Sequence, residues 1–140
     1  MKHKVLAYIT RERDGRRELL VFTHRDFPEA GVQVPAGTVE PGELIEAALF
    51  REVREESGLT DVQLVRKLSE HEGVEWDNIR HVFCLIAPNG APDTWTHTVH
   101  GQGEDAGMAF EYRWVDLSES VELAGAQHKW LGLLNEGGME

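Results

Sequence analysis

Three glutamates near the middle of the chain have the spacing that groups carboxylates on one side of a helix. Glu52, Glu55 and Glu56 belong to a Glu-, Ala-, Leu- and Arg-rich stretch with no Gly or Pro between residues 43 and 57. At about 100° per residue, the three carboxylates span only about 100° of the helix surface. Hard oxygen ligands at this density suit Mg²⁺ or Mn²⁺. The backbone of Gly37, which has no Cβ, can approach such an ion and offer its carbonyl.

Such a cluster is energetically unfavourable and also has a simpler explanation. Like charges at i,i+3 and i,i+4 are mildly destabilising, and the helix dipole disfavours anions at a C-terminus. Glutamate-rich helix faces are usually solvated and pair with basic residues, here Arg51 and Arg54. The same side of this helix also carries Ile45, Ala48 and Leu49, so the carboxylates continue an apolar stripe. That continuation favours a functional cluster that binds a cation.

The spacing of these residues resembles the signature of the Nudix hydrolase family. That signature is G, five residues, E, seven residues and R-E-U-x-E-E-x-G-U, where U is aliphatic, and residues 37–59 match every fixed position. The resemblance implies a Nudix-type α/β domain that hydrolyses a pyrophosphate bond in a nucleoside diphosphate linked to another moiety. The matching residues are Gly37, Glu43, Arg51, Glu52, Val53, Glu55, Glu56, Gly58 and Leu59.

The resemblance also implies how the signature carboxylates would act. Glu55 and Glu56 would be the main ligands of a Mg²⁺ or Mn²⁺ cofactor, and the carbonyl of Gly37 would be a backbone ligand. Glu52 would be a further ligand or the general base that activates water. The family does not fix its base to one position, and Glu52 is our first choice.

Two signature residues and one carboxylate outside the signature would complete the catalytic site. Arg51 would orient a glutamate of the cluster, and Glu43 would pair with Arg51 or support the preceding loop. Three acids are candidates for the additional carboxylate: Glu104 and Asp105 in a glycine-rich loop, and Glu111 near the start of a strand. A loop carboxylate can swing toward a bound ion, so we favour Glu104. A solvated acid is the alternative explanation for each of the three.

The residues that would bind the nucleotide are less well defined. Arg25 could contact a phosphate, and Phe27 and Trp76 could stack on a base, as could Tyr8 or Trp95. Core packing or partial surface exposure is the more common explanation for any single aromatic residue. The Pro-Ala-Gly sequence before the acidic helix is similar to that of family members that act on ADP-ribose. Residues typical of that and other subfamilies are missing further along, so the substrate stays open.

Three other functions are compatible with parts of the sequence. A Nudix-like nucleotide-binding or regulatory module without activity would be expected to lack a signature glutamate, and none is missing here. An acidic structural protein would not be stabilised by divalent ions, whereas a preformed metal site would be. Removal of a 5′ pyrophosphate from RNA would use the same chemistry. The arginines that could form an RNA-binding patch, although a solvated hairpin tip explains them as well, are Arg11, Arg13, Arg16 and Arg17.

Strand, turn and helix signals surround the acidic segment. Asp14-Gly15 is a strong hairpin turn signal, and Gly58 stands where a helix C-terminal glycine belongs. Strands before and after a central helix, closed by a second helix, predict a mixed β-sheet sandwiched between helices. The predicted strands are 4–10, 17–24, 32–34, 62–72, 79–87, 95–99 and 110–117, and the predicted helices are 43–57 and about 118–134.

Length and composition set bounds on these predictions. The 140 residues, 41% of them hydrophobic, favour one domain over residues 1–140 with a substantial core. The net charge of −11 opposes non-specific binding to a long nucleic acid. The longest apolar run, residues 82–87, is too short for a membrane helix and contains Cys84, the only cysteine, which we interpret as a buried thiol. We expect a cytoplasmic monomer or homodimer that acts on a small-molecule nucleotide without membrane association.

Overall fold

The computed structural model describes residues 2–73, 78–101, 103 and 105–135, and in these residues seven strands form one sheet. The elements are β1 (Lys2–Arg13), β2 (Arg16–His24), a 3₁₀ turn (Pro28–Ala30), β3 (Ala36–Thr38), α1 (Ile45–Ser57), β4 (Gln63–Gly73), β5 (Asn78–Ile86), β6 (Trp95–Thr98), β7 (Ala109–Asp116) and a C-terminal 3₁₀ segment (Ala124–Asn135). The strand order is β4-β5-β1-β2-β7-β6, and β3 pairs with β1. Because β1 and β5 are parallel and the other pairs antiparallel, the predicted mixed sheet is confirmed.

The hairpin of β1 and β2 opens part-way along its length. Its turn places Asp14 and Gly15 at positive φ (54° and 76°), as the favoured two-residue hairpin turn requires. Pairing between the two strands extends only from this turn to Thr10, opposite Leu19. Beyond that point β1 pairs with β3 instead. The chain segment that leads into α1 is therefore inserted between the two strands of the hairpin.

This inserted segment differs from the strand predicted at residues 32–34. Gln33 forms only an isolated bridge with β2, and the strand is Ala36–Thr38. Pro35 has no N–H and therefore cannot donate a hydrogen bond to a neighbouring strand. Its carbonyl accepts a hydrogen bond from the N–H of Ala7 in β1 (2.9 Å). The strand prediction was thus four residues too early. The actual strand places Gly37 directly opposite a residue of β1.

The predicted central helix is confirmed as α1, with a start two residues later than expected. It ends at Gly58, whose left-handed conformation (φ +82°) turns its N–H back to the carbonyl of Arg54 (2.9 Å). Its buried residues Ala48, Leu49 and Val53 pack with apolar side chains of β1, β2, β5 and β7 in one core. This packing holds the polar side of α1 at one edge of the sheet face.

The second predicted helix, at about 118–134, is wrong in its start and its type. The helical residues begin at Ala124, adopt 3₁₀ geometry and are interrupted at Gly125 and Ala126, which have positive φ (63° and 61°). Two consecutive residues with positive φ interrupt any helix that would run through them. Trp130 and Leu134 nevertheless pack in a second core on the other face of the sheet. The sheet therefore lies between two helical elements, as the predicted fold class requires.

One further prediction concerns a single residue of the core. Cys84 is buried and free, as expected. Of two tryptophans near the core, Trp130 is buried, whereas Trp114 is only partly buried, with the guanidinium of Arg11 4.2 Å from its ring centre. In the described part of the chain, no helix combines the length and apolarity needed to cross a membrane.

Candidate active site

Arg51 lies at the centre of the acidic cluster. Its Nε and Nη2 donate to the two carboxylate oxygens of Glu43 (2.8 and 3.0 Å). Its Nη1 donates to Oε2 of Glu52 (3.3 Å) and to Oε1 of Glu55 (3.1 Å). Nη2 also donates to the carbonyl of Thr38, at the end of β3 (3.0 Å). One guanidinium therefore joins the loop before α1 to two of the signature carboxylates.

The pair of Arg51 and Glu43 is the charge-assisted part of this network. The hydrogen bonds from Arg51 hold the pKa of Glu43 below its usual value. The same bonds raise the pKa of Arg51, so the guanidinium stays charged. A bidentate pair of this kind has a fixed geometry. The structure thus brings together the two residues that the sequence analysis expected to support the cluster.

Glu52 lies against the backbone of Gly37. Its side chain is 13% exposed, and a Cβ built on Gly37 would overlap its carboxylate. Burial raises the pKa of Glu52 to about 7; Arg51 opposes this shift, and the like charge of Glu55 adds to it. The signature glycine is therefore required for steric reasons, because any larger residue at position 37 would displace the Glu52 carboxylate.

Glu56 is the most deeply buried of the three carboxylates. The residue is 8% exposed, and its Oε1 accepts the backbone N–H of Ala36 (3.2 Å). Burial raises its pKa well above the usual value, and the charges of Glu52 and Asp105 raise it further. Among the described residues of the glycine-rich loop, Asp105 is therefore the acid whose charge acts on Glu56. Glu104, the residue favoured from the sequence, lies outside the described residues.

Gly101, the first residue of the glycine-rich loop, lies against the side chain of Glu55. Gly101 has a positive φ (+99°), and a Cβ there would lie 2.7 Å from Oε1 of Glu55. Glu111 is different, because its neighbour Tyr112 faces α1 and successive residues of a strand face opposite sides of the sheet. Glu111 is therefore on the face away from the cluster, and its candidacy as the additional carboxylate was wrong.

A further set of contacts, not anticipated from the sequence, holds the last turn of α1. The carbonyl of Glu55 accepts a hydrogen bond from Nε2 of His97 (3.0 Å), and that of Glu56 accepts one from the hydroxyl of Tyr112 (2.8 Å). The carbonyl of Ser57 accepts the indole N–H of Trp95 (2.9 Å). We call Trp95, His97 and Tyr112 the carbonyl clamp. Their spacing on alternating strand positions was the available signal, but only the fold shows that they face the helix.

Of the predicted substrate-binding residues, Arg25 and Phe27 make their described contacts with residues other than Arg51 and its partners. Arg25, in the turn after β2, is exposed; its guanidinium is 3.4 Å from Asp26 and its backbone N–H donates to the carbonyl of Ala109. Phe27 is 48% exposed and meets the ring of His24 edge-on. Trp76 lies outside the described residues. A role for these three residues in nucleotide binding stays a prediction.

The cluster has the donor chemistry of a site for a hard divalent cation, although its side chains do not yet converge on one point. Among the described residues, no three His, Cys, Asp or Glu side chains form a ready-made metal cage. The reason is that Arg51 lies between Glu52 and Glu55, while Glu56 turns to the amide of Ala36. Glu52 and Glu56, whose pKa values are raised by burial and by neighbouring like charges, are carboxylates that a divalent cation would stabilise in their charged form. The residues therefore fit such an ion.

Comparison with known proteins agrees with this geometry. The model of the NUDIX domain family matches residues 1–132, so the chain belongs to the Nudix family. An RNA pyrophosphohydrolase of Caulobacter vibrioides is 31% identical over 107 residues, which are 75% of this chain and 54% of that protein. The 8-oxo-dGDP phosphatase NUDT18 of Mus musculus is 46% identical over 87 residues, 61% of this chain and 25% of that protein. The chain spans about half the length, or less, of these curated relatives.

Solved structures show the same fold at low sequence identity. A C. elegans Ap4A hydrolase in a binary complex has a TM-score of 0.68 at 18% identity, covering 96% of this chain and 95% of that chain. The Nudix domain of Shewanella oneidensis NrtR, complexed with ADP ribose, has a TM-score of 0.61 at 15% identity, covering 96% and 86%. These likenesses confirm a single Nudix domain built on a mixed sheet.

Proposed function

We propose that the protein is a divalent-metal-dependent hydrolase that cleaves a pyrophosphate bond in a small nucleotide derivative. The observation that carries this proposal is the group of carboxylates Glu52, Glu55 and Glu56, of which Glu56 is buried and the other two partly buried, with Arg51 bound to Glu52 and Glu55, in a chain of the Nudix family. Like charges buried this closely destabilise a fold unless a cation compensates them. Nudix hydrolases generally use divalent metals, which supports Mg²⁺ or Mn²⁺ as the cofactor.

Each residue of the cluster has a distinct role in this proposal. Glu55 and Glu56, with the carbonyl of Gly37, would hold the ion, which supplies Lewis acidity toward the phosphate oxygens. Glu52, whose carboxylate lies against Gly37, would be a further ligand or would accept the proton of the attacking water at a carboxylate oxygen. Arg51 would orient Glu52 and Glu55 through its Nη1.

A small nucleotide fits the described surface better than a long nucleic acid. A nucleotide substrate is also in keeping with the cytoplasmic location expected from the sequence. The arginines of the β1–β2 hairpin, which could have formed an RNA-binding patch, are used within the fold. Their partners are Glu18 and Asp93 for Arg11, Asp93 for Arg13, Asp116 for Arg16 and the carbonyl of Leu134 for Arg17.

Removal of a 5′ pyrophosphate from RNA is the second candidate function. It is favoured by the similarity to the Caulobacter RNA pyrophosphohydrolase over three quarters of this chain. The chemistry at the phosphate would be the same, so only the partner differs. The paired arginines of the hairpin argue for the small nucleotide as the first choice.

A substrate panel with Mg²⁺ and Mn²⁺ tests both candidates. It contains nucleoside diphosphates and triphosphates, ADP-ribose, sugar nucleotides, dinucleoside polyphosphates and 5′-triphosphorylated RNA. We expect ion-dependent hydrolysis of a small nucleotide by the wild type, and loss of about 100-fold or more in Glu52→Gln. Glu46→Gln, at an exposed position in the first turn of the same helix, is the matched control and should keep wild-type turnover. Nucleotide binding with no hydrolysis of any compound would overturn the proposal and favour a non-catalytic module.

A further inference from the structure

The last turn of α1 has an unusual set of partners for its carbonyl groups. The final carbonyls of an α-helix have no partners within the helix and are commonly left to water. Here the N–H of Gly58 takes only the carbonyl of Arg54. The next three carbonyls, those of residues 55, 56 and 57, each accept a hydrogen bond from one side chain of the carbonyl clamp. The strands β6 and β7 thus bind the helix end at three successive residues.

The clamp side chains are themselves held in place. Trp95 and Tyr112 are opposite each other in the β6–β7 ladder, and their rings stack with centres 4.9 Å apart and 12° between planes. Tyr112 is buried to 2% exposure. The ring of His97 lies against Gly58, where an added Cβ would be only 3.0 Å from its Nδ1. The donors therefore sit on packed strands and not on a mobile loop.

The position of the clamp also matters electrostatically. The carbonyls at a helix C-terminus carry partial negative charge, which disfavours the carboxylates of Glu55 and Glu56. Three polar N–H or O–H groups aimed at these carbonyls place partial positive charge beside the same residues. The clamp consequently lowers the electrostatic cost of the acidic cluster without neutralising any carboxylate.

We propose that the carbonyl clamp positions the last turn of α1, and with it the carboxylates of Glu55 and Glu56, for binding a divalent cation. This inference rests on the proposed function, because it assigns the clamp to the same metal site. The side chains of Glu55 and Glu56 leave the backbone at the residues whose carbonyls are clamped. A displacement of about 1 Å in such a site can cost about 100-fold in activity.

Two conservative substitutions with matched controls test this proposal. Tyr112→Phe removes the hydroxyl that binds the carbonyl of Glu56, and Tyr8→Phe removes a hydroxyl that binds the carbonyl of Gln127 on the other face of the sheet. Trp95→Phe keeps an aromatic ring but removes the indole N–H, and Trp114→Phe removes an equivalent indole bond to the carbonyl of Pro92. Each pair compares a similar loss at the clamp and away from it.

Three measurements are needed, the first of which requires no metal. Hydrogen exchange of the amides of residues 56–59 in the metal-free protein should be at least about 10-fold faster in the clamp variants than in their controls. The dissociation constant for Mn²⁺ alone, measured by calorimetry, should rise about 10-fold or more in the clamp variants, as for other residues that orient metal ligands. The KM for the nucleotide should stay within about twofold of the wild type while kcat falls.

The outcomes separate this inference from the proposed function. Equal exchange rates and equal Mn²⁺ affinities in clamp and control variants would overturn it. If Tyr112→Phe does not fold, Trp95→Phe decides the question by the same measurements. If the wild type binds no Mn²⁺ and hydrolyses no nucleotide, the proposed function fails, and the assignment of the carbonyl clamp to a metal site fails with it. Hydrogen exchange in the metal-free protein still decides whether the clamp holds the end of α1.

Discussion

Two buried tyrosines lie on opposite faces of the sheet, and each donates its hydroxyl to a main-chain carbonyl of a helical element. Tyr112 reaches Glu56 in α1, and Tyr8 reaches Gln127 in the C-terminal 3₁₀ segment. The two faces also bury comparable sets of apolar side chains. The two helical elements differ in their polar residues. Helix α1 also carries the carboxylates of the acidic cluster, whereas the buried residues of the 3₁₀ segment are Trp130 and Leu134.

This difference shows how one fold separates stability from chemistry. On the α1 face, burial opposes the charges of Glu52 and Glu56 and raises the pKa of both. On the other face, the side-chain oxygen of Gln127 accepts a hydrogen bond from the N–H of Val34 (2.9 Å). The polar residue there provides a hydrogen-bond partner for a backbone amide of the inserted segment. Variants on the two faces should therefore affect different measured quantities.

The largest effect is expected from Glu56→Gln. Turnover should fall about 10³-fold or more, because a principal metal ligand is replaced by a neutral amide. The thermal midpoint without metal should stay the same or rise, because burial disfavours the charged form of Glu56. Steady-state kinetics and calorimetry of the same preparation measure both quantities. Turnover near that of the wild type would remove Glu56 from the metal site.

Leu134→Ala should have the opposite profile. Leu134 is 1% exposed in the core below the 3₁₀ segment, so its truncation should lower the free energy of unfolding by about 2–5 kcal/mol. The kcat of the folded fraction should not change. Leu49→Ala, at 0% exposure in α1, should cost a similar free energy of unfolding and also lower kcat. Urea titrations and kinetics would contradict the separation of the two faces if both variants changed kcat alike.

Gly37→Ala probes the close contact between β3 and the acidic cluster. The new Cβ overlaps the carboxylate of Glu52, so we expect a loss of about 10–100-fold in kcat. Gly132→Ala is the control from the other face, since a Cβ there meets no atom within 4 Å. Its activity should equal that of the wild type. Normal kinetics for Gly37→Ala would show that Glu52 can move without consequence.

The smallest expected effect concerns His81 on β5 and the pH dependence of stability. Burial lowers the pKa of His81 below its usual 6.5, and Lys67 lowers it further, against the opposing charge of Glu70; His3, from β1, also contacts the ring (3.0 Å). The unfolded chain therefore binds the proton more readily than the native protein does. The contribution of His81 to stability should therefore be complete above about pH 6.5 and be lost as the pH falls below it, whereas the raised pKa values of Glu52 and Glu56 act in the opposite direction.

His81→Gln is the variant that tests this dependence. Thermal midpoints of both proteins are measured between pH 5 and 8, and the midpoint of the wild type should fall relative to that of His81→Gln as the solution is acidified, because Glu52 and Glu56 contribute equally to both. A difference between the two midpoints that stays constant or shifts in favour of the wild type toward low pH would contradict the lowered pKa. Turnover is not expected to follow the same profile, because the acidic cluster lies on the other side of β1, next to β3.

The sequence was most informative where local signals were strong. The turn at Asp14-Gly15 and the helix end at Gly58 depend on backbone conformations that few residues adopt, and both are where the sequence placed them. The second helix was predicted from apolar spacing alone. That spacing does not show the interruption at Gly125 and Ala126, where both residues have positive φ. The strand at Ala36–Thr38 was missed because it depends on pairing with β1, which is remote in sequence.

The candidate site was predictable to a similar extent. Periodicity alone brought Glu52, Glu55 and Glu56 to one side of the helix, and the structure adds that Arg51 lies among them. The contribution of Asp105 and of the carbonyl clamp could not be predicted, since both come from strands and loops about 40 to 55 residues further along the chain. Their positions follow from sheet order, which a single sequence does not display.

The carbonyl clamp has a consequence for the order in which the molecule folds. Helix α1 depends on local hydrogen bonds and can form within microseconds. Its partners Trp95, His97 and Tyr112 lie 38, 42 and 56 residues after the helix residues whose carbonyls they bind. The parallel pairing of β1 with β5 likewise joins residues more than 70 positions apart. Contacts between such distant parts of a chain form slowly. We therefore expect the acidic cluster to reach its final geometry late in folding, after β7 has joined the sheet.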